Sequence, residues 1–217
     1  MPTRLPPVTL YLLIANVVVF LLQHLMGETL LIHFALWPLG PNHLEQASDG
    51  SLVALGFQPW QLVTYAFMHS SYMHIFLNMF GLYMFGGILE ETFGARSFTL
   101  YYFVCLLVAA LTQLLVVKYF THGFEPTLGA SGAIFGLLLA FGMLYPHQKL
   151  MLIPIPIPIP AWLLVSGYGA VELTMGVFGW HPDIAHFAHL GGMLGGFLMI
   201  EYWRGKLPIK PKRRLMR

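Results

Sequence analysis

The chain has 217 residues, 57% of them hydrophobic and 9% charged, with a formal net charge of +2 and a mean hydropathy of +0.70. Soluble domains carry about 25% charged residues, so this composition excludes one and indicates a protein embedded in a bilayer. At about 20 residues per membrane span, the length accommodates one helical bundle over residues 1–203 and a basic tail over 204–217, with no room for a separate soluble domain.

Apolar windows bounded by polar, Pro or Gly residues predict an all-α fold of six spans, at 8–25, 72–89, 97–117, 131–145, 161–177 and 186–203. The first is too long for a secretory signal and has no small-residue cleavage site, so it reads as a retained span. The stretch between the first two spans holds Trp37, Asn42, Glu45, Asp49 and Trp60 with two Pro-rich turns. A loop this rich in aromatic and apolar residues is expected to rest in the membrane interface. Cys105, the single cysteine, lies in the third apolar run and reads as a small buried hydrophobe. Between the fourth and fifth spans, 151–160 alternates Ile with Pro, which removes every second backbone donor and holds the chain extended. That segment is expected to be a loop that ends with Pro160 in the first turn of the fifth span.

Six spans put both termini on one side. Arg4, Arg96, Lys149, Arg204, Lys206, Lys210, Lys212, Arg213, Arg214 and Arg217 fall on that side, with Lys118 opposite, so the termini are expected in the cytoplasm. Beside six spans the basic tail reads as an orientation signal touching lipid headgroups, with no nucleic-acid partner. The fourth and sixth spans then both begin at the outer side. Ser131, in Gly129-Ala130-Ser131-Gly132, and His189, in Ala188-His189-Leu190-Gly191-Gly192, come to a similar depth.

The types and spacing of these residues point to chemistry. Ser131 falls in the first turn of its helix, where free N–H groups and the helix dipole favour developing negative charge. Gly132, Gly136 and Ala140 recur every four residues, and Gly192 and Gly196 share the face of His189, so two small-residue faces could bring hydroxyl and imidazole together. Small-residue stripes are also ordinary helix-packing devices, whereas an ionisable histidine inside a span points to function. His74 and Asn78, four apart, project side-chain donors from one face near the outer end of the second span, with His69 just before it. Donors aimed at a forming oxyanion are worth roughly 3 kcal/mol each.

Taken together, these motifs resemble the rhomboid family of intramembrane serine proteases, from about Trp60 to Trp203. The resemblance implies a six-helix fold with Ser131 as nucleophile and His189 as general base, without a third acidic member. It implies an oxyanion hole formed by His74, Asn78 and the Ser131 N–H, with His69 bracing the loop and Gly129 letting backbone approach the substrate. Substrates would be membrane proteins entering between the second and fifth spans. No cofactor is implied, and a bacterial plasma membrane fits the compact form. Two positions depart from the family pattern. Trp60 is followed by Gln61 where the family often has Arg, which puts anchoring of the first loop in doubt; Phe135 stands where tyrosine is common, and either ring can pack on His189.

Glu172 lies within the fifth span and is expected to pair with a donor on a neighbouring helix or to face the cavity, with no catalytic role. His186 shares the face of His189, but no third ligand has a suitable spacing and no His-Glu-x-x-His pattern exists, so no metal site is expected. Both aspartates, Asp49 and Asp183, fall in loops, which argues against an aspartyl protease. Glu90 and Glu91 read as interface residues capping or pairing with Arg96, and Tyr202 and Trp203 as part of a headgroup-level aromatic belt. The rival functions are a catalytically inactive relative of the same fold and a proton-coupled transporter using Glu172 and the histidines. The first typically lacks the serine or the histidine, and the second would show an inverted repeat, which is not evident.

Overall fold

The computed structural model describes residues 5–46, 50–151, 157–181 and 184–211. Arg4, Asp49, Asp183, Lys212, Arg213, Arg214 and Arg217, and the central part of the Ile-Pro run at 152–156, lie outside the described residues.

Helix α1, Pro7–Met26, starts with proline in its first turn, where the missing N–H costs nothing. It leads into a short helix, α2 at Glu28–Phe34, and then an antiparallel hairpin of β1, His43–Gln46, with β2, Leu52–Leu55. The first loop is therefore built rather than irregular. A single turn, α3 at Gln61–Thr64, closes it. The second apolar helix runs from Tyr72 to Phe93 as α4, Tyr72–Gly81, a π-helical turn at Leu82–Gly86, and α5, Gly87–Phe93. Helix α6, Ala95–Val116, continues through another π-helical turn to Thr121. Then follow α7, Ser131–Leu144; α8, Ala161–Phe178; and α9, His186–Trp203.

Among the described residues, four helical stretches are long and apolar enough to cross a membrane: Pro7–Met26, Tyr72–Phe93, Ala95–Thr121 and Ala161–Phe178. Helix α7 has 14 residues, about 21 Å at 1.5 Å per residue, short of a hydrocarbon core of about 30 Å. Helix α9, as long as α8, carries His186, His189 and Glu201. The exposed faces are apolar where lipid would lie, as Tyr11, Leu21 and Leu25 on α1 and Phe76 and Leu77 on α4 illustrate.

Helices α6, α7 and α9 form the innermost layer. The run Gly191-Gly192-Met193-Leu194-Gly195-Gly196 gives α9 two bare faces at once. A Cβ at Gly191 or Gly195 would press on Thr112 or Val108 of α6, and one at Gly192 would occupy the Gly132 carbonyl of α7. Backbone thus meets backbone, which only glycine permits. Tyr101, fully buried on α6, donates from its hydroxyl to the Gly136 carbonyl at 2.8 Å. Cys105 is fully buried and fills the space opposite Gly136.

Three readings of the sequence need correction. The Ile-Pro run is not wholly a loop, since β3, Lys149–Met151, pairs antiparallel with β4, Pro158–Pro160; prolines are tolerated because each of these strands is an edge. Trp203 is buried, with its ring centroid 5.1 Å from Phe93 and 5.9 Å from Tyr101, so it belongs to the core rather than to an interfacial belt. Glu90 is buried as well. It accepts from the Val8 and Thr9 N–H groups at 3.0 and 2.7 Å and from the Thr9 hydroxyl at 2.8 Å, capping the N-terminus of α1.

Candidate active site

Helix α7 begins at Ser131, after Gly129 with φ +111° and Ala130 in a helical conformation. The segment leading to it is fixed on both sides. Leu36 and Thr127 exchange two backbone hydrogen bonds, at 3.1 and 2.9 Å, and the Gly129 N–H donates to the Tyr65 carbonyl at 2.9 Å. The Tyr65 hydroxyl in turn donates to Leu106 O at 2.9 Å, tying the first loop to α6. The nucleophile candidate is therefore held by the loop that the sequence left without structure.

Gln61 is central to that loop and fully buried. Its Oε1 accepts from the N–H groups of Trp37, at 3.2 Å, and Gln58, at 3.0 Å, while its Nε2 reaches the His33 and Gly56 carbonyls at 3.4 and 3.5 Å. The indole N–H of Trp60 donates to His33 O at 2.9 Å. A neutral amide, with both donor and acceptor, anchors the loop here, so the missing arginine leaves no gap.

Ser131 Oγ and His189 Nε2 are 2.7 Å apart. The side chains share this depth because α9 touches α7 through Gly192, about one turn past His189, and Gly132, next to Ser131. Phe135 stacks on His189, with centroids 4.2 Å apart and planes within 4°, and Tyr168 of α8 meets Phe135 edge-on at 6.1 Å. The imidazole is thereby held in one plane.

His74 stands against Gly129, two residues before Ser131. Its Nδ1 accepts from the Ser70 N–H at 3.4 Å and lies 3.0 Å from Ser70 Oγ. An N–H can only donate, so Nδ1 carries no proton and the ring hydrogen sits on Nε2. That nitrogen lies against Gly129, where an added Cβ would come within 2.6 Å of it. Asn78 is buried, gives one amide hydrogen to His74 O at 2.8 Å and retains the other. Ser71 caps α4 by accepting from the His74 N–H at 3.1 Å.

His69 is buried behind His74, with ring centroids 5.0 Å apart. Its backbone exchanges hydrogen bonds with the Gln23 side chain, at 2.9 and 3.2 Å, which joins the loop before α4 to α1. Burial, with His74 beside it, pushes the His69 ring down to about 4. Gln23 gave no signal in the sequence, since its partner lies 46 residues away.

Glu172 pairs with the neighbouring helix α9, as the sequence reading expected, and the groups it meets include His189 itself. Glu172 Oε2 lies 2.9 Å from His189 Nδ1 and 2.7 Å from His186 Nδ1, so an acidic side chain does stand behind the imidazole. The His186 contact is an aligned hydrogen bond; at His189 the oxygen lies off the N–H direction, leaving an ion-pair contact rather than a formed bond. His186 Nε2 is 2.9 Å from Trp180 O. The ligand atoms of Glu172, His186 and His189 fall within 4.8 Å of one another, a third ligand that spacing along the chain could not reveal. The His186 atom that faces this group is Nδ1, which meets Glu172 Oε2 directly at 2.7 Å, while its Nε2 is turned to the Trp180 carbonyl.

The sequence profile of the Rhomboid domain matches residues 56–205, which contain Gln61, His69, His74, Asn78, Ser131, Glu172, His186 and His189, whereas Gln23, His33, Leu36 and Trp37 precede it. The chain belongs to the rhomboid family. It is 32% identical over 69% of its length to Rhomboid protein 1, mitochondrial, of Saccharomyces cerevisiae, covering 43% of that protein. It is 29% identical over 74% of its length to RHOMBOID-like protein 6, mitochondrial, of Arabidopsis thaliana, covering 50%. With the Rhomboid protease GlpG of Klebsiella pneumoniae it shares 26% over 89% of its length, covering 62%. This rhomboid chain thus spans about half the length of the curated relatives it matches. Family membership and the apolar helices make it an integral membrane protein.

Proposed function

We propose that this rhomboid is an intramembrane serine endopeptidase that cuts transmembrane segments of other membrane proteins near the outer side of the bilayer. The observation carrying the reading is the 2.7 Å approach of Ser131 Oγ to His189 Nε2 at the start of a helix. A relative named as a rhomboid protease supports it.

In the first step, Ser131 Oγ attacks the scissile carbonyl while His189 Nε2 takes its proton. Charge moves onto the carbonyl oxygen, where the Ser131 N–H, the His74 Nε2–H and the free hydrogen of Asn78 receive it. The imidazolium then protonates the leaving amine. Water enters next, gives its proton to Nε2 and attacks the acyl-serine, and the returning proton frees the hydroxyl. Gly129 keeps the backbone clear for substrate. The bundle over 1–203 has six spans with both termini cytoplasmic, the tail over 204–217 contacts headgroups, and the protein resides in a bacterial plasma membrane.

The test uses purified protein in lipid with a single-span reporter. Wild type is expected to cleave it and to take up a fluorophosphonate at Ser131; Ser131→Ala and His189→Ala are expected to lose cleavage while remaining folded, and chelators to change nothing. Undiminished cleavage by Ser131→Ala would remove the proposal.

A further inference from the structure

We infer that Glu172, held in place by His186, is the positioning residue that fixes the tautomer of His189 and faces its positive charge as that charge forms. The inference rests on the hydrolase reading above and extends a two-residue site to a relay of Ser131, His189 and Glu172, with His186 behind it.

The proton count comes from the geometry. Trp180 O can only accept, so the His186 Nε2 that it meets at 2.9 Å carries a hydrogen. The other His186 nitrogen lies 2.7 Å from Glu172 Oε2, and a contact this short needs one proton between the two atoms. That proton sits either on His186, making a cation beside a carboxylate, or on Glu172, beside a neutral ring. In both placements Oε2 has only a lone pair to offer to its second neighbour, His189 Nδ1, at 2.9 Å. A bare Nδ1 would set two electron-rich atoms 2.9 Å apart with no proton between them. His189 therefore keeps its hydrogen on Nδ1, which leaves Nε2 free to accept from Ser131 at 2.7 Å.

The elements explain why this can form inside a bundle. His186 and His189 share one face of α9, three residues apart, and Glu172 reaches them from α8, where it is one of few buried positions. An isolated carboxylate at that depth would be too costly to bury. His186 shares the proton that lies between it and the carboxylate, and Trp180 O, just past the end of α8, holds His186 in turn. When Ser131 transfers its proton to Nε2, the imidazolium forms 2.9 Å from Oε2, so the carboxylate faces the new charge directly. The proton then leaves with the amine, while the Nδ1 hydrogen stays throughout.

The first measurement is nitrogen-15 NMR of the histidine rings in the wild-type protein in lipid, assigned by difference from His186→Gln and His189→Gln. His189 is expected with hydrogen on Nδ1 and none on Nε2; the reverse tautomer overturns the inference. The second is kcat and KM for reporter cleavage. Glu172→Gln is nearly isosteric, but its amide donates toward the neutral His186 and His189 and so favours the wrong tautomer. A fall in kcat of roughly 10²- to 10⁴-fold is expected, with KM little changed, as when the aspartate of a soluble triad is amidated. Glu172→Asp is expected to recover at least about ten-fold over Glu172→Gln. A kcat for Glu172→Gln within about three-fold of wild type overturns the assignment, since a tautomer lock is worth far more. Should Glu172→Gln fail to fold, the NMR result on the unaltered protein decides. A wild type that neither cleaves nor labels would refute the hydrolase reading and leave the tautomer measurement standing by itself.

Discussion

Gly192→Ala tests whether the contact between α7 and α9 sets the geometry of the site. The new Cβ would clash with the Gly132 carbonyl oxygen and lie 2.6 Å from its carbon and 3.2 Å from its Cα. These are backbone atoms of a helix and cannot swing aside. Ordinary contact begins near 3.4 Å, so the helices must part by about 0.8 Å to relieve the carbonyl carbon alone and by more to relieve the nearer oxygen, a shift for which overpacking costs of about 1–3 kcal/mol are typical. A separation along the line between them would open the 2.7 Å gap between Ser131 and His189 to about 3.5 Å, beyond a useful hydrogen bond. Misplacement of about 1 Å can cost about 10²-fold in rate. The assay is the rate of fluorophosphonate labelling of Ser131, together with the thermal unfolding midpoint in detergent. Gly167→Ala on α8 is the control, because nothing lies within 4 Å of its added methyl group. Labelling and midpoint for Gly192→Ala equal to those of the control would refute the reasoning.

Three further outcomes are expected. His69, whose folded ring titrates at about 4 against 6.5 when unfolded, contributes stability that is complete above pH 6.5 and lost as pH falls toward 4, by up to about 3 kcal/mol. Thermal midpoints measured against pH should therefore fall less steeply in His69→Phe than in wild type. Gln61→Arg, which restores the residue common in the family, should destabilise by about 1–3 kcal/mol, because arginine cannot accept from the Trp37 and Gln58 N–H groups; limited proteolysis of the first loop would report it. Glu90→Ala should lower the thermal midpoint by the equivalent of about 2–3 kcal/mol, since it leaves the Val8 and Thr9 donors buried without a partner.

The helices were largely legible in the sequence. The expected spans 72–89 and 186–203 correspond to Tyr72–Phe93 and His186–Trp203, and 131–145 to Ser131–Leu144. Long apolar runs broken by Pro, Gly and charge have few other ways to satisfy their backbone in lipid. The hairpin of the first loop was not legible, because four-residue strands carry too little periodicity. Nor was the burial of Trp203 or Glu90: a tryptophan at a span end suits either the interface or the core, and a carboxylate is buried only when distant donors meet it.

Local spacing by itself determined that the chain is a helical membrane protein, that Ser131 opens a helix, and that His189 lies on a face bare enough for another helix to touch. Those properties depend on residues within a turn or two of each other. What stands behind His189 was decided only by tertiary structure. Glu172 is 14 residues from His186 and on another helix, and whether it faces lipid, water or the imidazole depends on how α8 leans on α9. That angle is set by the summed packing of many side chains, so the site's third member became visible only in three dimensions.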